Sequence, residues 1–139
     1  MSRTTAREVA MMMEFSRMLG GEDTPEHVCE EAEGIEPGAL DEEDVLYVGQ
    51  IAAGVREHQS EIDALIARYS EGWAIERIAR VDLSILRVAV YEMLYRREDV
   101  PTGAAINEAV ELAKRYGGER SYAFINGILG SVAREIAPA

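Results

Sequence analysis

The amino-acid sequence predicts an all-α protein, and three observations support this fold class. Apolar residues recur at helical spacing over long stretches, most clearly across residues 101–136. No segment shows the strict alternation of apolar and polar residues that marks a half-buried strand. Capping residues, glycines and prolines fall between the helical stretches, where they begin and end helices. Together these observations predict about seven helices.

The first half of the chain is predicted to hold three of these helices. The first covers about 4–19 and ends at two glycines. The second covers about 24–33 and opens with a threonine cap followed by a first-turn proline. After a loop over 34–40, an aspartate cap opens a long third helix over about 41–69, with Gly54 as its weak point.

Gly72 marks a predicted joint between two helical subdomains, about 1–71 and 72–139. A short helix is expected over 73–79. The next helix, over 82–97, is apolar almost all round. Such a helix is normally central and buried in a bundle.

Two amphipathic helices joined by a short turn are predicted over 102–136. Thr102 can cap the first of them, and Gly117 ends it. Ser121 can cap the second, whose apolar side chains continue at helical spacing to Ile136. This pair completes the bundle of about seven helices.

The polar face of the first helix carries a small basic patch. Arg3 and Arg7 lie one turn apart, so we expect both guanidinium groups to project unpaired in the same direction. Two such arginines ordinarily belong to a solvated surface. The more specific alternative is that they bind phosphate. The predicted apolar stripe comprises Ala6, Val9, Met12, Met13, Phe15, Ser16 and Leu19, whereas Met11, Glu14 and Met18 fall on the polar side.

Composition limits the function classes. The net charge is −12, and the acidic residues concentrate between Glu22 and Asp44. This run is either a solubilising surface or a face for a basic partner. There is no apolar stretch of about 18 residues and no signal-peptide pattern, so a cytoplasmic protein without a membrane span is expected. The single cysteine, Cys29, excludes an intrachain disulfide.

Sequence signatures of enzymes are absent. The chain has no glycine-rich phosphate loop and no nucleophile elbow. His27 and His58 are the only histidines, and neither has metal-ligand spacing with Cys29 or with a carboxylate pair. We therefore expect a protein that is not an enzyme and that needs neither a metal nor a cofactor.

The second half resembles the NusB family of transcription antitermination factors. The first half is similar more weakly, through Arg3, Ala6-Arg7-Glu8 and Ala10. The matching residues of the second half are Trp73, Arg77, Ile78, Asp82, Ile85-Leu86-Arg87, Ala89, Tyr91-Glu92, Val100-Pro101, AINEAVELAK over 105–114, Tyr116-Gly117, Ser121, Phe124-Ile125-Asn126-Gly127 and Ile128-Leu129.

The resemblance implies a fold and a function. It implies a NusB-like bundle of two helical subdomains that binds boxA RNA, notably in ribosomal RNA operons, together with the ribosomal protein NusE. The pair would join RNA polymerase with other Nus factors and suppress premature termination. Because boxA is single-stranded, its recognition should combine phosphate contacts with stacked or hydrogen-bonded bases. Members of the family occur as monomers and as homodimers.

The resemblance also implies site residues. Arg3 and Arg7 fall on the family's arginine-rich RNA-binding segment, with Thr4 and Thr5 at positions where further arginines are common. Arg120, Ser121 and Tyr122 border the same implied RNA surface. The implied NusE contact is Asp82.

Two alternatives stay open at this point. One is a helical protein-interaction module with weak or lost RNA binding, which the acidic charge and the sparse arginines favour. The other is the NusB-like domain of an RNA cytosine methyltransferase, which requires a large cofactor-binding domain after the helical bundle.

Overall fold

The computed structural model describes residues 2–22, 24–32, 35 and 40–137, and within these ranges it is helical with no strand. The all-α prediction is confirmed. The helices are α1 (Ser2–Met18), α2 (Pro25–Glu31), α3 (Glu42–Glu57), α4 (Gln59–Tyr69), α5 (Arg80–Tyr95), α6 (Thr102–Tyr116) and α7 (Ser121–Ile136), with a 3-10 turn over Ile75–Arg77.

The centre of the bundle is α5. Every residue from Asp82 to Met93 is buried, as the uniformly apolar pattern predicted. This helix contacts α1, α3, α4, α6 and α7. A helix that is covered on all sides must bury its polar residues too, and Arg87 and Glu92 lie inside the protein. The division into two subdomains at Gly72 stays a prediction, since α5 packs against helices of both halves.

Two of the four predicted caps form as the residue types indicated, whereas Thr102 and Ser121 are the first residues of α6 and α7 and cap neither helix. The Thr24 side chain accepts a hydrogen bond from the His27 amide at 3.1 Å, and Asp41 accepts one from the Asp44 amide at 2.8 Å. Acidic residues fill the first turn of α3, where the positive end of the helix dipole favours them. Part of the acidic run between Glu22 and Asp44 therefore stabilises the start of α3. Most of the predicted loop over 34–40 lies outside the described residues.

The prediction of one helix over 41–69 is wrong. The chain leaves helical geometry at His58, which ends α3 and precedes α4. The His58 ring stacks on Tyr95 with 4.2 Å between ring centres, a contact across helices that the local sequence does not reveal. Gly54 does not interrupt α3. A glycine is needed at this position because the Tyr91 ring occupies the space that a β-carbon would need. The predicted helix over 73–79 is only the 3-10 turn.

The face assignment of α1 is also wrong in part. Met11 and Glu14 are buried, although both were placed on the polar side, and Leu19 is largely exposed. The reason is that α1 packs against α2, α3 and α5 and also bonds to α6. A helix with this many neighbours buries more than one face, and its charged residues are then covered together with their partners.

None of the described helices combines the length and apolar character needed to cross a bilayer.

Candidate nucleic-acid interface

Arg7 lies under the predicted basic patch and not on it. The residue is 8% exposed. Its Nε lies 3.0 Å from a Glu92 carboxylate oxygen, and its Nη1 lies 3.2 Å from Glu108 Oε1. The Tyr47 hydroxyl donates to the same Glu92 carboxylate. The expectation that Arg7 is displayed unpaired is therefore wrong, because a buried guanidinium is retained only with partners.

Arg3 is placed differently, above this buried network. Its guanidinium carbon lies 3.8 Å from the centre of the Tyr47 ring. Its ion pairs with Glu43 and Asp44 are both 3.8 Å long, which exceeds hydrogen-bond distance. The side chain remains partly exposed. Burial, followed by the Glu92 charge, raises the pKa of Tyr47, so the ring stays neutral under the Arg3 cation.

The two threonines between these arginines are part of the same surface. Thr4 is exposed and donates from Oγ1 to Glu108 Oε1 at 2.8 Å. Thr5 is half-buried. Glu108 thus accepts hydrogen bonds from both Thr4 and Arg7, so that one carboxylate joins the first turns of α1 to α6.

The residues predicted at the start of α7 divide into exposed and buried groups. Arg120 is exposed, and Tyr122 is 46% exposed. Ser121 is buried, and its hydroxyl accepts a hydrogen bond from the Gly118 amide at 2.8 Å. Ser121 therefore organises the turn between α6 and α7, and only its two neighbours present side chains outward.

Helix α6 joins the residues predicted on α1 to those predicted at the start of α7. Sequence reasoning did not show this connection. Lys114 Nζ lies 5.6 Å from the centre of the Tyr122 ring. Arg115 pairs with Glu8 of α1 at 3.0 Å, and the Tyr116 hydroxyl donates to the same carboxylate. Burial and this contact raise the pKa of Tyr116 to about 12. The signal available in the sequence was Lys114 itself, since it is the chain's single lysine.

We call this surface the α1–α6–α7 face, defined by Arg3, Thr4, Thr5, Glu108, Glu111, Lys114, Arg115, Glu119, Arg120 and Tyr122. Carboxylates are interspersed among its basic side chains, as in the Glu111–Lys114 pair at 3.3 Å. The face therefore attracts a polyanion only weakly by charge alone. Its exposed hydroxyls and aromatic ring add sequence-tolerant contacts of the kind that single-stranded nucleic acid uses.

A second buried ionic network holds α1 against α4 and α5. Arg87 donates from Nη1 to Glu14 at 2.9 Å and from Nη2 to Asp63 at 2.8 Å. Glu14 also accepts two hydrogen bonds from Arg17, each of 2.8 Å. This network fixes the far end of α1, so the helix that carries Arg3 is anchored along its length.

A mainly apolar groove lies beside the start of α7 and shares Arg120 with the α1–α6–α7 face. It measures about 400 Å³ and is lined by Trp73, Ile78, Asp82 and Phe124, with Trp73 53% exposed. Burial raises the pKa of Asp82, and the nearby Ser121 hydroxyl opposes that rise. One Asp82 oxygen, Oδ1, is buried and finds no hydrogen-bond partner among the residues that the structure describes. The wall of the groove therefore contains an incompletely hydrogen-bonded carboxylate beneath a mainly apolar surface.

Among the described side chains, no cluster of three or more His, Cys, Asp or Glu residues is arranged to hold a metal ion.

Comparisons with known proteins agree with this architecture. The model of the NusB family matches residues 2–134. The transcription antitermination protein NusB of Acetivibrio thermocellus is 44% identical over 134 residues, which cover 96% of this chain and 90% of that protein.

Two solved structures extend the similarity to the fold. A structure of T. maritima NusB superposes with a TM-score of 0.83 at 36% identity, covering 99% of this chain and 94% of that one. A crystal structure of the antitermination factors NusB and NusE in complex with double-stranded RNA gives a TM-score of 0.79 at 26% identity, covering 96% and 97% of the two chains. The resemblance predicted from the sequence is confirmed, and the chain belongs to the NusB family.

Proposed function

We propose that this chain is a transcription antitermination factor that binds boxA RNA together with NusE. The observation that carries the proposal is similarity along nearly the whole chain, both to a curated antitermination protein and to a NusB–NusE–RNA complex. In this role the chain works in the cytoplasm as a non-catalytic adaptor. It joins RNA polymerase and other Nus factors, notably on ribosomal RNA operons.

The coverage of relatives weighs against the methyltransferase alternative. The match spans 90% of the Acetivibrio thermocellus protein and 94% of the T. maritima structure, and both are NusB proteins. A cofactor-binding domain is no part of that similarity.

RNA binds, in this proposal, on the α1–α6–α7 face. Arg3, Lys114 and Arg120 contact phosphates, Thr4 and Thr5 add hydrogen bonds, and Tyr122 stacks on a base. Arg7 and Ser121 act from beneath, because both are buried and held by protein partners. They position the surface without touching the transcript.

NusE supplies affinity that this face lacks alone. Cations and carboxylates alternate on the face, so few phosphates are neutralised per bound RNA, and electrostatic affinity scales with that number. A partner that docks beside the RNA adds its own contacts and makes the two binding events mutually favourable. Whether the free chain is a monomer or a homodimer stays a separate prediction.

A fluorescence anisotropy titration with labelled boxA RNA and a scrambled RNA tests the proposal. With NusE present, we expect the affinity for boxA RNA to exceed the affinity for the scrambled RNA at least tenfold. Arg3→Ala combined with Lys114→Ala should lower affinity about tenfold and reduce the salt slope by about 1.4, or about 0.7 per lost contact. Arg56→Ala, an exposed arginine of α3 near the far end of α1, is the matched control.

Equal binding to both RNAs, with and without NusE, would contradict the proposal. Retained NusE binding in that case would support a protein-interaction module without RNA binding. Arg7→Ala is unsuited to this test, because it also removes a buried ion pair.

We place the NusE contact at the Asp82 groove. Asp82→Asn is expected to weaken NusE binding about tenfold, since hydrogen bonds to a charged group contribute about 1.5–3 kcal/mol. A calorimetric titration of NusE measures this. The outward-facing Glu119→Gln, beside the groove, is the control and should leave NusE affinity unchanged.

The Asp82→Asn substitution should also stabilise the free chain. Burial raises the Asp82 pKa, so folding takes up a proton here, and the stability contribution declines as pH rises from 3.8 through the raised value. At neutral pH, Asp82→Asn removes a buried, incompletely paired carboxylate and should add about 1 kcal/mol to the free energy of unfolding. Urea unfolding at pH 7 checks this, and a loss of stability would contradict it.

A further inference from the structure

A polar cleft opens beside the α1–α6–α7 face, between α1, α3 and the connection from α5 to α6. It measures about 670 Å³, and its lining includes Arg3, Leu46, Tyr47, Gln50, Arg96 and Asp99. Leu46 is 63% exposed, and Gln50 is also exposed. Arg3 belongs both to this cleft and to the α1–α6–α7 face, so a strand lying on the face reaches the cleft without leaving the protein.

Two guanidinium groups share one aromatic ring in the cleft. The carbon of the Arg3 guanidinium lies 3.8 Å from the centre of the Tyr47 ring, and that of Arg96 lies 5.0 Å from it. The ring is fixed in turn, because its hydroxyl donates to the buried Glu92 carboxylate. The wall is therefore rigid, with planar cations on which a flat ligand can stack.

The Arg96 guanidinium is held on one side only. Its Nη2 pairs with Asp99 at 3.0 Å, whereas its Nε is buried and has no hydrogen-bond partner in the described part of the chain. Among the described residues, no carboxylate lies within hydrogen-bond distance of Arg3, since both of its ion pairs are 3.8 Å long. Arg3 thus retains donor capacity in the cleft beyond its contact with Tyr47.

The charge of the cleft selects the class of ligand. Arg3, Arg7 and Arg96 are balanced there by Glu43, Glu98 and Asp99. A balanced cleft in a protein of net charge −12 attracts a free phosphate poorly. A nucleobase suits it better, because a base carries no charge, presents a flat face and offers both donors and acceptors.

The carboxylates at the rim of the cleft restrict which nucleobases fit it. Glu98 and Asp99 are exposed acceptors, and carboxylates pair with the exocyclic amino group of a base. Adenine, cytosine and guanine carry such a group, whereas uracil does not. Leu46 supplies an apolar contact to the base, and the Gln50 amide supplies a second polar one.

We propose that this cleft binds one unstacked, amino-bearing nucleobase of the single-stranded RNA held on the α1–α6–α7 face. The inference rests on the proposed function and extends it to a base-reading site. Phosphate contacts fix the strand in register on the α1–α6–α7 face, while the cleft reads one base.

An anisotropy titration with base-modified RNAs, in the presence of NusE, tests the site. Each adenine, cytosine and guanine of boxA RNA is replaced singly by its deamino analogue: purine, 2-pyrimidinone or hypoxanthine. We expect one position to lose about tenfold in affinity. Leu46→Ala combined with Gln50→Ala should lose about as much on unmodified RNA and become insensitive at that position.

Leu19→Ala is the matched control, since Leu19 is also a largely exposed leucine and lies at the opposite end of α1. It should keep the wild-type sensitivity at every position. Circular dichroism and urea unfolding verify that each variant is folded, which we expect because the substituted side chains are exposed.

The outcomes separate the two proposals. If the Leu46→Ala, Gln50→Ala variant keeps wild-type affinity and the wild-type pattern of sensitivity, the base-reading site is overturned, and RNA binding on the α1–α6–α7 face stands. If wild-type protein with NusE shows no preference for boxA over scrambled RNA, the proposed function fails, and the base-reading site fails with it.

Discussion

Glu92→Ala is expected to lower the free energy of unfolding by about 3–5 kcal/mol, the range for breaking a buried ion pair by removing one partner. The Glu92 carboxylate is fully enclosed by protein. It accepts hydrogen bonds from Arg7 Nε at 3.0 and 3.1 Å and another from the Tyr47 hydroxyl. Its removal leaves a buried guanidinium with Glu108 alone and a buried hydroxyl without its acceptor.

Urea unfolding monitored by circular dichroism measures this loss. Glu111→Ala is the control, because Glu111 forms an exposed pair with Lys114, and exposed pairs contribute about 0–1 kcal/mol. A loss below about 1 kcal/mol for Glu92→Ala would show that the network does not hold α1, α3 and α5 together.

Glu92→Gln separates the charge of this side chain from its shape. Burial raises the pKa of Glu92, and the Arg7 charge opposes the rise. With a raised pKa in the folded state, the stability contribution is largest at low pH. It declines as pH rises from the ordinary value of 4.5 through the raised value. The glutamine variant should lose this component of the pH dependence.

Arg87→Met is expected to cost about 3–5 kcal/mol as well. It removes the cation that two carboxylates share, because Arg87 binds Glu14 at 2.9 Å and Asp63 at 2.8 Å. Arg17 still pairs with Glu14, so the uncompensated charge falls mainly on Asp63. The same urea assay measures the loss.

A second substitution tests that explanation. Asp63→Asn in the Arg87→Met background should recover about 1 kcal/mol, whereas Asp63→Asn alone should destabilise, as expected for residues in one network. Simple additivity of the two losses would contradict a shared network. Arg68→Ala is the matched control, since Arg68 is an exposed arginine that pairs with Glu135.

Much of the fold follows from local sequence. The caps at Thr24 and Asp41 depend on the side chain and on an amide three residues later, so they are readable from the residue types. The burial of α5 follows from its apolar pattern. The end of α3 at His58 does not, because the stacking partner Tyr95 lies on another helix.

The site was less predictable for a related reason. A helical wheel places polar and charged residues toward solvent, and for Arg3 and Thr4 this was adequate. Arg7 is charged but buried, since its partners Glu92 and Glu108 come from α5 and α6. The role of α6 in joining α1 to α7, through the Arg115–Glu8 and Lys114–Tyr122 contacts, likewise appears only when the helices are packed together.

Glu108 has a consequence for how the complex forms. Its carboxylate already accepts a hydrogen bond from the exposed Thr4 hydroxyl in the free protein, so an RNA oxygen must displace it before Thr4 can donate to RNA. An adaptor whose donors are engaged in this way is expected to ignore the abundant transcripts of a crowded cell. Selective RNA binding then depends on the contacts that NusE adds beside the RNA.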